Sequence, residues 1–386
     1  MHQTKTIFKH TPAFTKITSY LQRADIEING TRSWDIQIHD QRVFEAVLKR
    51  GSLGLGDAYV DGWWDSPSLD TFFAHLLAAE LETEVNPLNL ILLRARARIL
   101  NLQDHIRSRQ VVEEHYDLSN EFYSKMLDKN WMQYTCAYYD RVETLDQAQE
   151  QKLDQICQKL ELKTGEKVLE LGCGFGGLAK FATERYGVQF ECYNISKEQI
   201  AWARNWTKDL PVEIHEKDYR LANGTFDKVV SIGLCEHVGY KNYRNLMQVA
   251  HRCLKDNGLF LLHMIGGNIS GVSTDPWLEK YIFPGSVMPS IEQLSRAFQG
   301  LFVMEDWHNF GLDYDRTCMA WFENFDRNWS QFKDQYGERF YLMWKYYLLL
   351  CAGSFRSRKN QNWEIVLSKG RFLKKTVSSQ RAFNKG

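Results

Sequence analysis

Net charge is the first thing this sequence lacks: 48 lysines and arginines balance 48 aspartates and glutamates over 386 residues. No global field therefore draws the chain to nucleic acid or anionic lipid, and any attraction to a charged surface must be local. Paired cysteines are also missing. Eight stand scattered at positions 136, 157, 173, 192, 235, 253, 318 and 351. Without a CxxC pair or a Cys/His cluster, a structural zinc site is not expected, and free thiols suit a reducing, cytoplasmic setting. Long apolar runs are absent as well. The opening MHQTKTIFKHTPAFTKITSY has no apolar core of signal-peptide length, and Lys345 interrupts the most hydrophobic stretch, YLMWKYYLLLCAG. That stretch is well short of the ~20 residues that span a bilayer. There is no internal repeat and no low-complexity segment, although the tail after Gly370 is polar and basic.

A hydrophobic share of 44% with 25% charged residues is ordinary globular composition, enough for two domains with a sizeable core. Aromatic residues are generous: 12 Trp, 18 Tyr and 22 Phe. A large aromatic core and a site lined with rings explain that excess equally well.

Residues 7–81 mix short alternating runs, such as Trp34-Asp-Ile36-Gln-Ile38, with a turn-rich piece, GSLGLGDAYVDGWWDSPSLDTFF, and read as a small α+β domain. Residues 88–110 repeat apolar side chains at helical spacing and carry Arg94, Arg96, Arg98, Arg107 and Arg109. The division expected is a small domain over 1–87, a basic linker helix over 88–110 and a larger domain over 111–386. From Lys167 onward strand and helix patterns alternate: KVLEL, GLAKFATERY, VQFECY, SKEQIAWARNWTK, VEIHEKD, FDKVVSIGL, YRNLMQVAHRCLK, GLFLLHMI. This is the pattern of a doubly wound α/β fold with a parallel sheet, Rossmann-like.

The decisive local motif is Glu170-Leu171-Gly172-Cys173-Gly174-Phe175-Gly176-Gly177, directly after a strand and opening a helix. Glycine there permits a tight turn and close backbone approach to a ligand. The spacing also satisfies the dinucleotide fingerprint, which expects an acid ~20 residues on, at the end of the second strand. Here that end is Asn194, while Glu191 falls inside the strand. What the chain offers instead is Glu170 ending the first strand and Asp218-Tyr219 after the third, suited to an adenine and its amino group. These residues favour S-adenosylmethionine, which carries no phosphate to neutralise, over a nicotinamide or flavin. A glycine turn without ligand stays open.

At this point the chain resembles the cyclopropane-fatty-acyl-phospholipid synthase family. The likeness runs through GSLGLGDAYVDGWW, EHYDLSNEFY, MQYTCAYY, LELGCGFGG, KDYR, EHVGYKNY, LLHMIG, DPWLEKYIFP, MEDWHNFGLDYDRT and LCAGSFR, in order and over nearly the whole length. It implies a class I methyltransferase that moves a methyl group from S-adenosylmethionine to a cis double bond of a phospholipid acyl chain. The resulting carbocation closes to a cyclopropane when the new methyl loses a proton. An alkene is a poor nucleophile, so placement and exclusion of water carry much of the rate. Rings could stabilise the cation, with Tyr116, Tyr134, Tyr138, Trp277, Tyr281 and Phe283 as candidates, each of which packing alone would also explain.

In the family the base is held to be a bound bicarbonate ion, and its ligands fall here on Cys136, Glu236, His263, Ile265 and Tyr314. Glu236 would accept the hydroxyl, while His263, the Tyr314 phenol and backbone amides near Cys136 and Ile265 would donate. Glu236 follows the fourth strand and His263 ends the next, so both are expected at the carboxyl edge of the sheet. Outside this context His263 reads as a satisfied core residue. Cofactor contacts carry over to Tyr134, Thr135, Gly172, Gly174, Gly176, Asn194, Ser196, Gln199, Asp218, Tyr219 and Arg220. Cys351 matches a cysteine proposed as catalytic, although its apolar helix favours packing.

Three positions depart from the family pattern: Phe175 stands for Trp, Cys235 for Phe and Asn194 for Thr. None removes a reacting group. The resemblance also implies a homodimer paired through the small domain, and reversible, peripheral attachment to a phospholipid surface, where each headgroup-facing arginine of 88–110 adds ~1 kcal/mol. A solvated interdomain helix explains those arginines as well. Two rivals remain: a methyltransferase of this fold acting on another acceptor without ring closure, and a catalytically silent lipid-binding protein.

Overall fold

The alternating segments after Lys167 build one sheet. In the computed structural model, which describes residues 11–81 and 118–370, the strands are β3 (Lys167–Leu171), β4 (Gln189–Asn194), β5 (Val212–Glu216), β6 (Phe226–Ile232), β7 (Leu254–Gly267), β8 (Val303–Asn309) and β9 (Asn360–Ser368). A short ribbon, β1 (Gln37–Ile38) with β2 (Trp64–Asp65), lies apart from them. The sheet runs β5-β4-β3-β6-β7-β9-β8. Its first five strands are parallel, whereas β9 is antiparallel to both β7 and β8. The doubly wound α/β reading is therefore right for the nucleotide half, and the reversed edge is an addition to it.

Alternation along the strands feeds two apolar layers. Leu169, Leu171 and Val229 face Leu246, Met247 and Ala250 of helix Tyr243–Cys253, while Val168 and Val230 face Leu153 and Ile156 of helix Leu145–Lys159 and Phe181 of helix Gly177–Tyr186. Parallel strands covered on both sides in this way read as continuous hydrophobic runs, which is why KVLEL and its successors were legible.

The first part of the chain turns out more helical than its glycines suggest. GSLGLGDAYV is the helix Ser52–Val60, and its neighbours are Arg42–Arg50 and Leu69–Ala78. The glycines there provide room. A Cβ on Gly54 would lie 2.1 Å from the Ala46 carbonyl, and one on Gly56 2.3 Å from the Trp277 ring.

This part also shares its core with the far end of the chain. Tyr346, on the helix Lys333–Arg356, packs within 5.3 Å of Tyr59, 5.0 Å of Phe73 and 4.4 Å of Trp277. The Arg356 guanidinium bridges Asp70 at 2.6 Å and Asp315 at 2.8 Å. YLMWKYYLLLCAG is thus a joint between the two parts, and among the described residues no helix is long and apolar enough to cross a membrane. The 88–110 segment, Tyr116, the proposed boundary at residue 87 and the tail after Gly370 lie outside the described residues.

Candidate active site

The glycine loop opens the site. After β3, Gly172, Gly174 and Gly176 take φ of 83°, 53° and 80°, a region that a side chain would strain. A Cβ on Gly177 would lie 2.0 Å from the Trp131 carbonyl, so the loop is clamped beneath residues 131–136. The end of β4 braces it from the other side. Asn194 donates through Nδ2 to the Gly174 carbonyl and to Gln199 Oε1, both at 3.1 Å, and its Oδ1 accepts from the amides of Ile195 and Ser196. Glu191, the acid a dinucleotide reading would need, lies within β4 and is tied to His215 and Tyr193.

Beyond β5, Asp218 accepts from the Arg220 amide and holds its guanidinium at 2.8 Å, while the buried Tyr219 hydroxyl has no partner among the described residues. Glu170 is buried at the end of β3, and burial pushes its carboxyl up to about 8.

A lysine that sequence reasoning passed over sets the roof. Lys152 occupies a core position of its helix, spaced with Ala148, Leu153 and Ile156, and is fully buried. Its Nζ donates to Gln133 Oε1 and, at 3.1 Å, to Thr135 Oγ1. Burial lowers its pKa to about 8. A lysine on an apolar stripe was the available signal. Next to Thr135, the Tyr134 hydroxyl shares a 2.8 Å hydrogen bond with Tyr347, whose ring meets Phe283 edge-on.

The second cluster lies where β6 and β7 meet. The Leu234 side chain lies against Gly172, and the short helix Cys235–Val238 that follows carries Glu236. Glu236 Oε1 accepts from the Ile265 amide at 2.6 Å, and Oε2 is buried with no partner among the described residues. Burial raises its carboxyl to about 7, against the lowering effect of that amide.

His263 was expected to end its strand, but β7 runs on to Gly267. His263 nonetheless sits at the rim of the neighbouring strand, opposite Ile232, with its carbonyl accepting from the Gly233 amide. Its Nδ1 lies 3.2 Å from Glu364 Oε1, and its Nε2 is buried without a partner among the described residues. Glu364, which the sequence reading did not single out, is completely buried and paired with Lys159 at 2.9 Å. Burial alone would raise its carboxyl, yet Lys159 and His263 hold it at about 2. A charge inside the apolar run NWEIVLS was the sign to look for.

Tyr314 is buried and stacked on Phe355 at 4.4 Å, and burial first, with the field of Glu236 a lesser contributor, raises its phenol. Cys136 is fully buried, its thiol donating to the Ala137 carbonyl. Cys351 is packed among apolar side chains, and burial pushes its thiol up to about 12, which leaves no thiolate for nucleophilic attack. Of the aromatic candidates, Tyr134 and Phe283 join through Tyr347, Tyr138 faces His308 and Phe310, and Trp277 and Tyr281 lean toward the helix Ser52–Val60.

A family profile described as mycolic acid cyclopropane synthetase matches residues 103–365. The chain is 47% identical over 351 residues to the cyclopropane-fatty-acyl-phospholipid synthase of Escherichia coli strain K12, covering 91% of this chain and 92% of that protein. The chain belongs to this cyclopropane synthase family. Among solved structures it is similar to the cyclopropane synthase MmaA2 of Mycobacterium tuberculosis, at 28% identity and a TM-score of 0.64, covering 70% of this chain and all of that one. It is equally similar to mycolic acid cyclopropane synthase CmaA1 complexed with SAH and CTAB, at 28% identity and a TM-score of 0.63 over 69% of this chain and 99% of that one. Membership makes it an S-adenosylmethionine-dependent methyltransferase with the class I fold.

The loop suits that cofactor. A Cβ on Gly174 would meet nothing within 4 Å among the described residues, so the backbone there is open to a ligand, and Tyr219 presents a buried hydroxyl with no partner among them. Asn194 and Gln199 act first on the loop itself. The Ile265 amide, expected to donate to an anion, is taken by Glu236.

Proposed function

We propose that this enzyme transfers a methylene group from S-adenosylmethionine to the cis double bond of an unsaturated acyl chain in a membrane phospholipid, leaving a cyclopropane. The observation that carries this reading is the pair of buried, unpartnered polar atoms, Glu236 Oε2 and His263 Nε2, beside the glycine loop. Buried polar groups are nearly always satisfied, and Glu236, fixed on the amide of Ile265 two residues beyond His263, brings both to the β6–β7 rim, which suits a small polar group. The relatives' names supply the substrate class.

When bound, S-adenosylmethionine supplies an electrophilic methyl group on a sulfonium. Tyr134, Thr135, Gly172, Gly174, Gly176, Asn194, Ser196, Gln199, Asp218, Tyr219 and Arg220 form its cradle, with Lys152 fixing Thr135 and Asn194 fixing the loop. The alkene π pair takes the methyl carbon as the carbon–sulfur bond breaks. The cation closes when that carbon gives up a proton and its C–H pair becomes the second ring bond. Bicarbonate, when bound, supplies a weak base at that point. Glu236, His263, Tyr314 and the backbone at Cys136 would hold it, with His263 Nε2 accepting its hydroxyl and a protonated Glu236 donating to one of its oxygens.

Glu236 keeps its carboxyl fixed on the Ile265 amide and, with its pKa near 7, can hold or release a proton at Oε2. Tyr134, Tyr314 and Phe283 exclude water and offer ring faces to positive charge. Binding to the bilayer is peripheral and reversible, and the small N-terminal part captures lipid and pairs two copies.

Purified protein, labelled cofactor and unsaturated phospholipid vesicles, with and without bicarbonate, test the reading. A product one methylene heavier that resists hydrogenation is expected, at a rate that rises with bicarbonate. A methylated but still unsaturated or branched chain, or no transfer, would sink it. Light scattering should show a dimer.

A further inference from the structure

His263, Glu364 and His308 stand in one row across β7, β9 and β8, directly opposite one another in register. Behind the row Lys159 reaches Glu364 Oε2 at 2.9 Å, Asp306 at 3.3 Å and His308 Nδ1 at 3.2 Å. A carboxylate and a histidine almost wholly removed from water are costly to keep, and a buried ion pair can often be exchanged for apolar residues without loss of stability. Stability alone gives no reason for Glu364 to be here.

We propose that Glu364, anchored by Lys159, is a positioning residue: it fixes the His263 proton on Nδ1, so that Nε2 meets the reaction cleft as a proton acceptor. The argument is one of donor and acceptor inventory. An ionised carboxylate only accepts, so His263 Nδ1, 3.2 Å away, must donate. In the neutral ring Nε2 then carries a lone pair, and it is this atom that has no partner among the described residues. The arrangement reverses the role expected from the sequence, where His263 was to donate into the site.

Burial disfavours the imidazolium, so the ring rests neutral, and Glu364 stabilises the charge when a proton arrives. Lys159 keeps Glu364 from capturing that proton itself. Phe310 packs edge-on to the imidazole at 5.5 Å and limits its rotation. This inference rests on the proposed reaction for the origin of the proton, but not for the state of the ring.

The test begins with nitrogen NMR of the cofactor-free protein carrying labelled histidine, the His263 signals being those lost in His263→Asn. A protonated Nδ1 and a bare Nε2 are expected, and the opposite tautomer overturns the proposal whatever the variants do. In Glu364→Gln, Lys159 will claim the amide oxygen and turn the NH2 toward Nδ1, moving the proton to Nε2. The kcat should fall at least about 100-fold, with lipid KM and S-adenosylhomocysteine affinity within about threefold. Glu364→Asp, which keeps the charge, should retain the tautomer and recover most of kcat. A folded Glu364→Gln protein with kcat within about threefold of the parent refutes the role. Should the unsubstituted protein show the expected tautomer yet leave unsaturated vesicles untouched, the proposed reaction fails and the positioning stands.

Discussion

The cofactor loop and the β6–β7 rim solve opposite problems. Around Gly172, Gly174 and Gly176 the protein ties down its own loop and side chains: Asn194 holds the loop and Asp218 holds Arg220, leaving the Tyr219 hydroxyl open. At Glu236 and His263 it leaves polar atoms unmatched in a dry place and raises or lowers their proton affinities by burial. The contrast teaches that binding of the donor is a matter of room, whereas handling of the proton is a matter of stored electrostatic imbalance. Substitutions on one side should therefore spare the property of the other.

The sharpest break is Glu236→Gln. Turnover should fall ~1000-fold, while S-adenosylhomocysteine binding measured by calorimetry stays within about threefold. Next in size is Gly172→Val. Its φ of 83° and a Leu234 carbon 3.1 Å from the new Cβ should weaken cofactor binding by ~2–3 kcal/mol, with kcat at saturating cofactor falling far less than in Glu236→Gln. Tyr219→Phe should move stability and affinity in opposite directions. Removing an unpartnered buried hydroxyl raises the melting temperature of the cofactor-free protein, and losing its hydrogen bond to cofactor costs ~1 kcal/mol of affinity.

A pH series separates the halves more gently. Glu170 has a folded pKa near 8, raised by burial, so between about 4.5 and 8 the folded state holds a proton that the unfolded chain has released. Stability contributed by that proton is full at low pH and lost as pH climbs through this window, and Glu170→Gln should flatten the melting curve there. The smallest effect is Cys351→Ser, with kcat within about twofold, because a thiol raised to about 12 is a packing group.

Legibility followed the physics of each region. Buried parallel strands are short apolar runs, so β3 and the helix Gly177–Tyr186 were read to the residue, and a glycine turn between strand and helix announces a ligand loop from sequence alone. Glu236, His263 and Tyr314 came only with the family resemblance, since one acid, one histidine and one tyrosine scattered over 79 positions have no local pattern. Lys152 and Glu364 escaped because a single charge has no local pattern until the fold buries it. Gly54 and Gly56 suggested turns, but tertiary packing decided in favour of helix, as close approach to Ala46 and Trp277 was what they were needed for.

The union of the N-terminal helices with Lys333–Arg356 bears on how an acyl chain gets in. Swinging the two parts open would wet Trp277, Tyr346 and Phe73, each fully or almost fully buried. At ~150–250 Å² per ring and ~25 cal/mol per Å², that motion costs on the order of 10 kcal/mol, so the opened form is a minor state of the free protein. The two parts therefore behave as one body unless a ligand or surface offsets that burial.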